Sequence, residues 1–338
     1  MLLGYTTTRP VVRLNKESLT LDEAYEIWTS RYEELYPKFA NESEIIEEIK
    51  DKTPLHQGQR RYAKKKVEKP IVVIPVFPGQ NCEFDTKARF ERAGAEVHTV
   101  VFNNLDVDHV SQSIETLAKE IENAQIFMLV GGFSLGDEPD GSGKFIVSVL
   151  HNPKIKAALD TMRANEGLIL GICNGFQALV KSGLLPFGDL DKDGKELATL
   201  FRNDINRHVS HIATTRITSN NSPWLQEFIP GQVHAVAISH GEGKFMADPA
   251  LLESLAANGQ IATQYVDEEG NPTMDPKHNL NGSMLAIEGI LSEDGMILGK
   301  MGHSERYEEG LFQNISLDRN QDIFQSGVHF FTHEGKDE

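Results

Sequence analysis

The pattern of apolar and polar positions changes its rhythm at Ile71. Before that point apolar residues are sparse. Ala24, Ile27, Trp28 and Leu35 fall at helical spacing behind a capping-box pair, Thr20 and Glu23, so an amphipathic helix is expected over about 21–36. Beyond Pro37 the chain is charged, with one further helical turn expected around Ile45–Ile49. Arg60, Arg61, Lys64, Lys65, Lys66 and Lys69 form a basic run, which reads as a solvated linker rather than a phosphate-binding patch. Residues 1–70 are therefore expected to be an N-terminal segment and linker, and 71–338 a separate domain.

From Ile71 short β-branched runs alternate with longer amphipathic stretches. The run from Ile71 to Pro75 is wholly apolar, as in a strand buried on both faces. A helix through Phe84, Ala88 and Ala93 follows, closed by Gly94. Glu96–Phe102 is the next expected strand. Val107, Val110, Ile114, Leu117 and Ile121 then step by three or four, a helix. Gln125–Val130 is a third strand, ending in Gly131 and Gly132. One helical stretch through Phe145, Val149, Ile155, Leu159 and Met162 leads to a fourth strand, Gly167–Ile172. Four strands alternating with helices predict an α/β fold with a doubly wound, mainly parallel sheet. In such sheets the chemistry sits beyond the carboxyl ends of the strands. After Leu185 the expected strands (about 211–217, 233–238, 260–266, 285–290 and 296–300) are separated by Gly, Asn and Pro, and read as an antiparallel extension of the same domain.

Composition narrows the function. The net charge of −17 disfavours a nucleic-acid backbone or an anionic membrane surface as partner. No run approaches the ~20 apolar residues of a membrane span, and the N-terminus lacks the layout of a secretory signal. Two cysteines, Cys82 and Cys173, exclude a disulfide framework and a four-cysteine zinc site, and fit a reducing, cytoplasmic setting.

Cys173 lies in Gly171-Ile-Cys-Asn-Gly175, directly after the strand through Leu168–Leu170 and before the apolar helical run Phe176–Val180. That is the setting of a nucleophile elbow, with cysteine in the place of serine. Flanking glycines allow a tight turn, and the helix N-terminus favours a thiolate. The amide of Asn174 can meet a developing oxyanion, and Gly131-Gly132 on the neighbouring strand can supply a second donor. The plainer reading, a small buried hydrophobe, is what most lone cysteines are; the strand–helix context favours the nucleophile. Cys82 lacks that setting and is expected to be structural or incidental.

A cysteine nucleophile needs a base, and the base an orienter. Twelve histidines are available. His303, with Glu305 two residues on, follows an expected strand and pairs an imidazole with a carboxylate; His240, in Ser239-His-Gly-Glu-Gly243, also follows a strand and is a rival. His329 and His333 have metal-ligand spacing but no third ligand nearby, so no metal site is expected. The stretch Gly136–Lys144 fails the Walker phosphate-loop pattern, because Glu138 and Phe145 stand at positions that the pattern restricts.

Together, Gly131-Gly-Phe-Ser-Leu-Gly-Asp137, Gly171-Ile-Cys-Asn-Gly-Phe-Gln177, Ser239-His-Gly-Glu-Gly243, Asn281-Gly-Ser283 and Gly302-His-Ser-Glu-Arg306 resemble the glutaminase (class I glutamine amidotransferase) domain of phosphoribosylformylglycinamidine synthase, over about Ile71 to His333. The resemblance implies a flavodoxin-like sheet, Cys173 as nucleophile toward the amide of L-glutamine, His303 as acid/base, and Glu305 as its orienter. It implies Gly132 and Asn174 at the oxyanion, and Gln177, Asn203, Ser239 and His240 around the glutamine. It implies no cofactor in this chain; ATP and magnesium belong to a synthase domain or subunit that takes the ammonia and aminates formylglycinamide ribonucleotide in purine synthesis. Leu135 and Ser304 depart from the family pattern, which has tyrosine and proline there. The helix around Trp28 and the linker after it resemble the join between synthase and glutaminase in the fused form of the enzyme, and the opening Gly4-Tyr-Thr-Thr7 resembles the tail of the synthase's last domain, so a C-terminal portion, split subunit or fragment, is expected. A different cysteine hydrolase on the same fold, such as an amidase or peptidase, and an inactive partner-binding module are the alternatives.

Overall fold

The computed structural model describes residues 4–31, 33, 36–37, 39–40, 48–49, 51–137, 142–192 and 197–334. The chain divides into two compact units, Met1–Asn41 and Glu42–Glu338. The first holds a hairpin that the sequence reading did not anticipate: β1 (Val11–Leu14) pairs antiparallel with β2 (Glu17–Thr20) across a turn in which Asn15 is left-handed. Helix α1 (Leu21–Ser30) follows, and the predicted capping box is present: Glu23 N donates to Thr20 Oγ1 at 3.1 Å, and Thr20 N donates to Glu23 Oε2 at 2.9 Å. The helix is shorter than expected, Leu35 lies outside the described residues, and so does most of the turn expected at Ile45–Ile49. No residue of α1 is buried.

The second unit is built on a nine-stranded sheet. Its parallel half comprises β3 (Ile71–Val76), β4 (Glu96–Val101), β5 (Ile126–Leu129) and β6 (Leu168–Ile172), with α2 (Glu83–Arg92), α3 (Val107–Asn123), α4 (Lys144–Leu150) and α5 (Pro153–Ala164) between them. The expected single helix through Phe145 and Met162 is two: Asn152 caps the second through Lys154 N, and Pro153 takes its first position, where a missing N–H costs nothing. Helix α6 (Asn174–Ser182) leaves β6, and the short α7 (Leu184–Phe187) follows it. The antiparallel half consists of β8 (Val209–Ile217), β9 (Val233–His240), β11 (Ile261–Tyr265), β12 (Ile287–Leu291) and β13 (Ile297–Lys300). Strand order is β4-β3-β5-β6-β13-β12-β11-β8-β9; β13 pairs parallel with β6 and antiparallel with β12, and so joins the two halves.

Four elements were not legible as such. Strands β7 (Ala198–Arg202) and β10 (Glu242–Ala247) form a separate two-stranded sheet, α8 (Pro249–Ala257) interrupts what reads as a run of strands, and α9 (Ile323–Thr332) follows the last of them. The basic stretch is not a solvated linker: Ala63 is buried, its N–H donates to Phe330 O at 2.8 Å, Val67 N–H donates to Phe331 O, and the Arg61 guanidinium donates to Asp294 O at 2.8 Å. Backbone pairing with the body of the unit outweighs the solvation of alternate side chains. Strands β5 and β6 are buried along their whole length, the two-faced burial that their unbroken apolar sequence predicts.

Candidate active site

Strand order β4-β3-β5-β6 places the carboxyl ends of β3, β5 and β6 side by side, around the crevice where the winding reverses direction. The segments leaving those ends carry Cys82, Gly131-Gly132 and Cys173 respectively. Cys173 has φ 52° and ψ −107°, a conformation that costs an L-residue on the order of 1–3 kcal/mol. The turn is held by tight packing of α6 on the sheet: a Cβ on Gly175 would stand 2.0 Å from Leu129 O. Cys173 N donates to Lys300 O at 2.9 Å, which ties the turn to β13. Its thiol donates to Ser239 O at 3.7 Å, and the residue is buried.

β13 delivers the second half of the site. Met301 N donates to Glu288 O, His303 N donates to Ala237 O at 2.7 Å, and the chain then turns so that His303 Nδ1 and Glu305 Oε1 are 2.5 Å apart, both side chains buried. Burial opposes charge on His303, but the carboxylate of Glu305 and the interaction with Cys173 outweigh it and hold the imidazole well above its ordinary value. Burial likewise opposes charge on Glu305, and His303 reverses that, so the carboxyl is held low. Both shifts favour the imidazolium–carboxylate form of the pair. A Cβ on Gly131 would lie 2.9 Å from His303 Cε1, 3.1 Å from Cys82 Sγ and 3.5 Å from Cys173 Cβ. The absence of that one carbon lets an imidazole and two thiols converge.

Beneath them lies a polar layer sealed from solvent. Lys300 Nζ is 3.1 Å from Glu288 Oε1 and donates to Gly302 O and Ser304 Oγ, and Ser304 Oγ donates to Gln321 Oε1 at 2.8 Å. The departure at Ser304 thus has a use: a proline would lack the hydroxyl that links Lys300 to Gln321.

Asn174, first residue of α6, has no intrahelical acceptor for its amide. Its side chain donates to Asp137 and Gln177 at 3.1 Å and accepts from Ser134 N at 3.3 Å, which fastens the loop after β5 to the elbow. In that loop Leu135, Gly136 and Asp137 all have positive φ. Leu135 is half exposed.

The residues expected around a ligand divide. Ser239 adjoins Cys173 through its carbonyl oxygen, and His240 turns to Asn203. Gln177 and Asn203 are buried with their amides used inside the protein: Gln177 accepts from Asn174 and donates to Glu242 O, while Asn203 donates to Arg207 O and His240 O and accepts from Gly243 N. They shape the wall of the site through the Ser239–Gly243 turn rather than offering free donors to it. His240 does not compete as a base: Asn203 Oδ1 accepts from its Nδ1 at 3.2 Å, no carboxylate faces it among the hydrogen bonds of the described residues, and burial with the charges of His303 and His208 lowers it to about 3.

Two residues were missed. Cys82, expected to be incidental, is buried 4.0 Å from His303 Nδ1; its thiol donates to Asn81 Oδ1 at 3.3 Å and accepts from Arg306 Nη2 at 3.5 Å. The signal was its place in the segment leaving a parallel strand at the carboxyl edge. His208 Nε2 is 3.0 Å from Ser239 Oγ, at the side of a cleft of about 250 Å³ also lined by Arg202, Arg207 and Glu242. His329 and His333 stack at 4.0 Å at the end of α9, with His329 on Glu227.

Residues 69–332 match the family described as the CobB/CobQ-like glutamine amidotransferase domain. The chain is 34% identical over 243 residues to the phosphoribosylformylglycinamidine synthase subunit PurQ of Chlorobaculum tepidum, covering 71% of this chain and 89% of that one. It is 35% identical to the PurQ subunit of Methanococcus maripaludis over 281 residues, covering 78% of this chain and 97% of the relative. The structure of PurLQS from Thermotoga maritima superposes with a TM-score of 0.56 at 24% identity, over 78% of this chain and all of that one, a likeness of fold. With that match and those relatives behind it, the chain belongs to the glutamine amidotransferase family, beside the PurQ subunits of phosphoribosylformylglycinamidine synthase.

Proposed function

We propose that this protein hydrolyses L-glutamine to L-glutamate and ammonia, and that the ammonia serves a synthase partner in converting formylglycinamide ribonucleotide to formylglycinamidine ribonucleotide. The observation that carries the reading is the strained Cys173 elbow set against the buried His303–Glu305 pair. The Cys173 thiolate attacks the amide carbon. The oxyanion is received by the amides of Gly132 and Asn174. His303 passes a proton to the departing ammonia, then takes one from the water that opens the thioester, and glutamate leaves. Glu305 holds the imidazole in orientation and stabilises its charge. Ser239 and His240 border the glutamine side chain, with Gln177 and Asn203 fixing their turn. Arg202 and Arg207, at the neighbouring cleft, have the charge to meet the substrate's α-carboxylate.

No helix among the described residues is long and apolar enough to cross a membrane. A cytoplasmic setting is the reading, and ATP and magnesium act at the synthase partner rather than here. The test is glutamate release with and without that partner. Cys173→Ala should lower the rate by at least about 10⁴-fold. Retention of activity in that variant, or glutamate release in neither preparation, would overturn the reading. A glutamine-like diazo-ketone should label Cys173 and spare Cys82.

A further inference from the structure

We propose that Cys82, His303 and Glu305 form a binding site for a divalent cation of zinc's type, and that its occupation switches the glutaminase off. One sulfur, one imidazole nitrogen and one carboxylate oxygen of these buried residues all lie within 4.8 Å of one another. That donor set is the one zinc takes. Glu305 Oε2, on a fully enclosed carboxylate, has no hydrogen-bond partner among the described residues.

The geometry is close to what the metal requires. Zinc holds sulfur at about 2.3 Å, and nitrogen and oxygen at about 2.0–2.2 Å, which sets neighbouring donors about 3.3–3.6 Å apart. The Cys82 Sγ–His303 Nδ1 distance of 4.0 Å needs a small closure. The His303 Nδ1–Glu305 Oε1 pair, at 2.5 Å, needs to open by about 1 Å as the metal replaces the proton between them. Cys82 gives up its thiol proton and His303 the proton on Nδ1. A three-ligand site of this kind keeps one coordination position open.

The consequence follows from which nitrogen is used, and it rests on the glutaminase reading above. An imidazole metallated on Nδ1 is neutral with its remaining proton on Nε2, and releasing that proton would create an imidazolate. The ring then no longer carries a proton between Cys173, ammonia and water. This differs from the ordinary poisoning of a thiol enzyme, in which zinc bridges the nucleophilic sulfur and the catalytic imidazole, here Cys173 and Nε2. Sequence spacing gave no hint of the site, because its donors stand at 82, 303 and 305 and meet only across Gly131.

The experiment uses the full chain, stripped of metal, in the Cys173→Ser background, so that binding is read without activity. Zinc titrated against a chromophoric chelator should bind in one equivalent. Adding Cys82→Ser or Glu305→Gln should weaken it at least tenfold, while Cys173→Ser alone stays within threefold of the unsubstituted protein. Cobalt(II) in the Cys173→Ser protein should show a thiolate-to-metal charge-transfer band, because Cys82 is then the one thiol left of two. With Cys173 present, zinc should inhibit glutamate release, and Cys82→Ser should raise the inhibitory concentration at least tenfold relative to its own metal-free rate. Absence of stoichiometric binding, absence of the thiolate band, or unchanged inhibition in Cys82→Ser would each overturn the site. Stoichiometric zinc in a protein that hydrolyses no glutamine would keep the site and overturn the glutaminase reading instead.

Discussion

The two halves of the nine-stranded sheet contribute to the site in different ways. The parallel half supplies the nucleophile from one continuous strand–turn–helix unit, β6–Cys173–α6, in which glycines, strain and helix N-terminus lie within about ten residues of sequence. The antiparallel half supplies the environment of the base by long-range bonding: His303 N to Ala237 O on β9, Met301 N to Glu288 O on β12, and the sealed Lys300–Glu288 pair below. The first kind of site part is local and is recognised from its sequence. The second exists only when β13 is held between β6 and β12.

Three substitutions test that contrast. The largest effect is expected from Lys300→Met, which leaves Glu288 charged and fully buried without its partner; removing one member of such a pair costs about 3–5 kcal/mol. Urea unfolding should show that loss, and the Lys300→Met/Glu288→Gln double variant should recover part of it. Equal losses in the single and double variants would mean that the pair does not hold the base end of the site.

A smaller effect is expected at the elbow. Cys173→Gly should unfold at a free energy about 1–3 kcal/mol higher than Cys173→Ala, because glycine adopts φ 52° and ψ −107° without the Cβ clash. Both variants lack the thiol, so the difference reads backbone strain net of the entropy that glycine adds to the unfolded chain, about 0.5–1 kcal/mol. Identical unfolding curves would remove strain from the account.

The smallest effect concerns pH. Glu305 raises His303, so in Glu305→Gln the imidazolium loses its proton at lower pH, and the alkaline limb of kcat/KM should move to lower pH. Stability follows the same pair. The raised His303 stabilises the fold fully below its unfolded value of 6.5 and loses that contribution as pH rises through its raised value. The lowered Glu305 contributes above its unfolded value of 4.5 and loses it as pH falls through its lowered value. The stability advantage over Glu305→Gln should therefore be greatest between pH 4.5 and 6.5 and decline on both sides.

Legibility in sequence followed the range of the interaction. Burial of β3, β5 and β6 on both faces leaves an unbroken apolar run, so those strands were readable, as was the antiparallel extension from its turn residues. The break between α4 and α5 was signalled by Asn152-Pro153, yet the apolar spacing runs through it. The hairpin β1–β2 was not, because its residues are mostly exposed and show no alternation. The family resemblance implies Gln177 and Asn203 as ligand contacts; only their bonds to Glu242 O and His240 O show that their amides hold the wall in place.

By itself the sequence determined the alternation of strands and helices, the elbow at Cys173, and the pairing of His303 with Glu305, since each depends on residues a few positions apart. Tertiary structure decided which histidine faces the elbow, and why: His303 is held 2.5 Å from a carboxylate while His240 is buried against an amide. It also decided that Cys82, 91 positions before Cys173, shares the same small space. Parallel strands that are neighbours in the sheet are distant in the chain. The residues leaving their carboxyl ends therefore meet through sheet order, which no local pattern encodes.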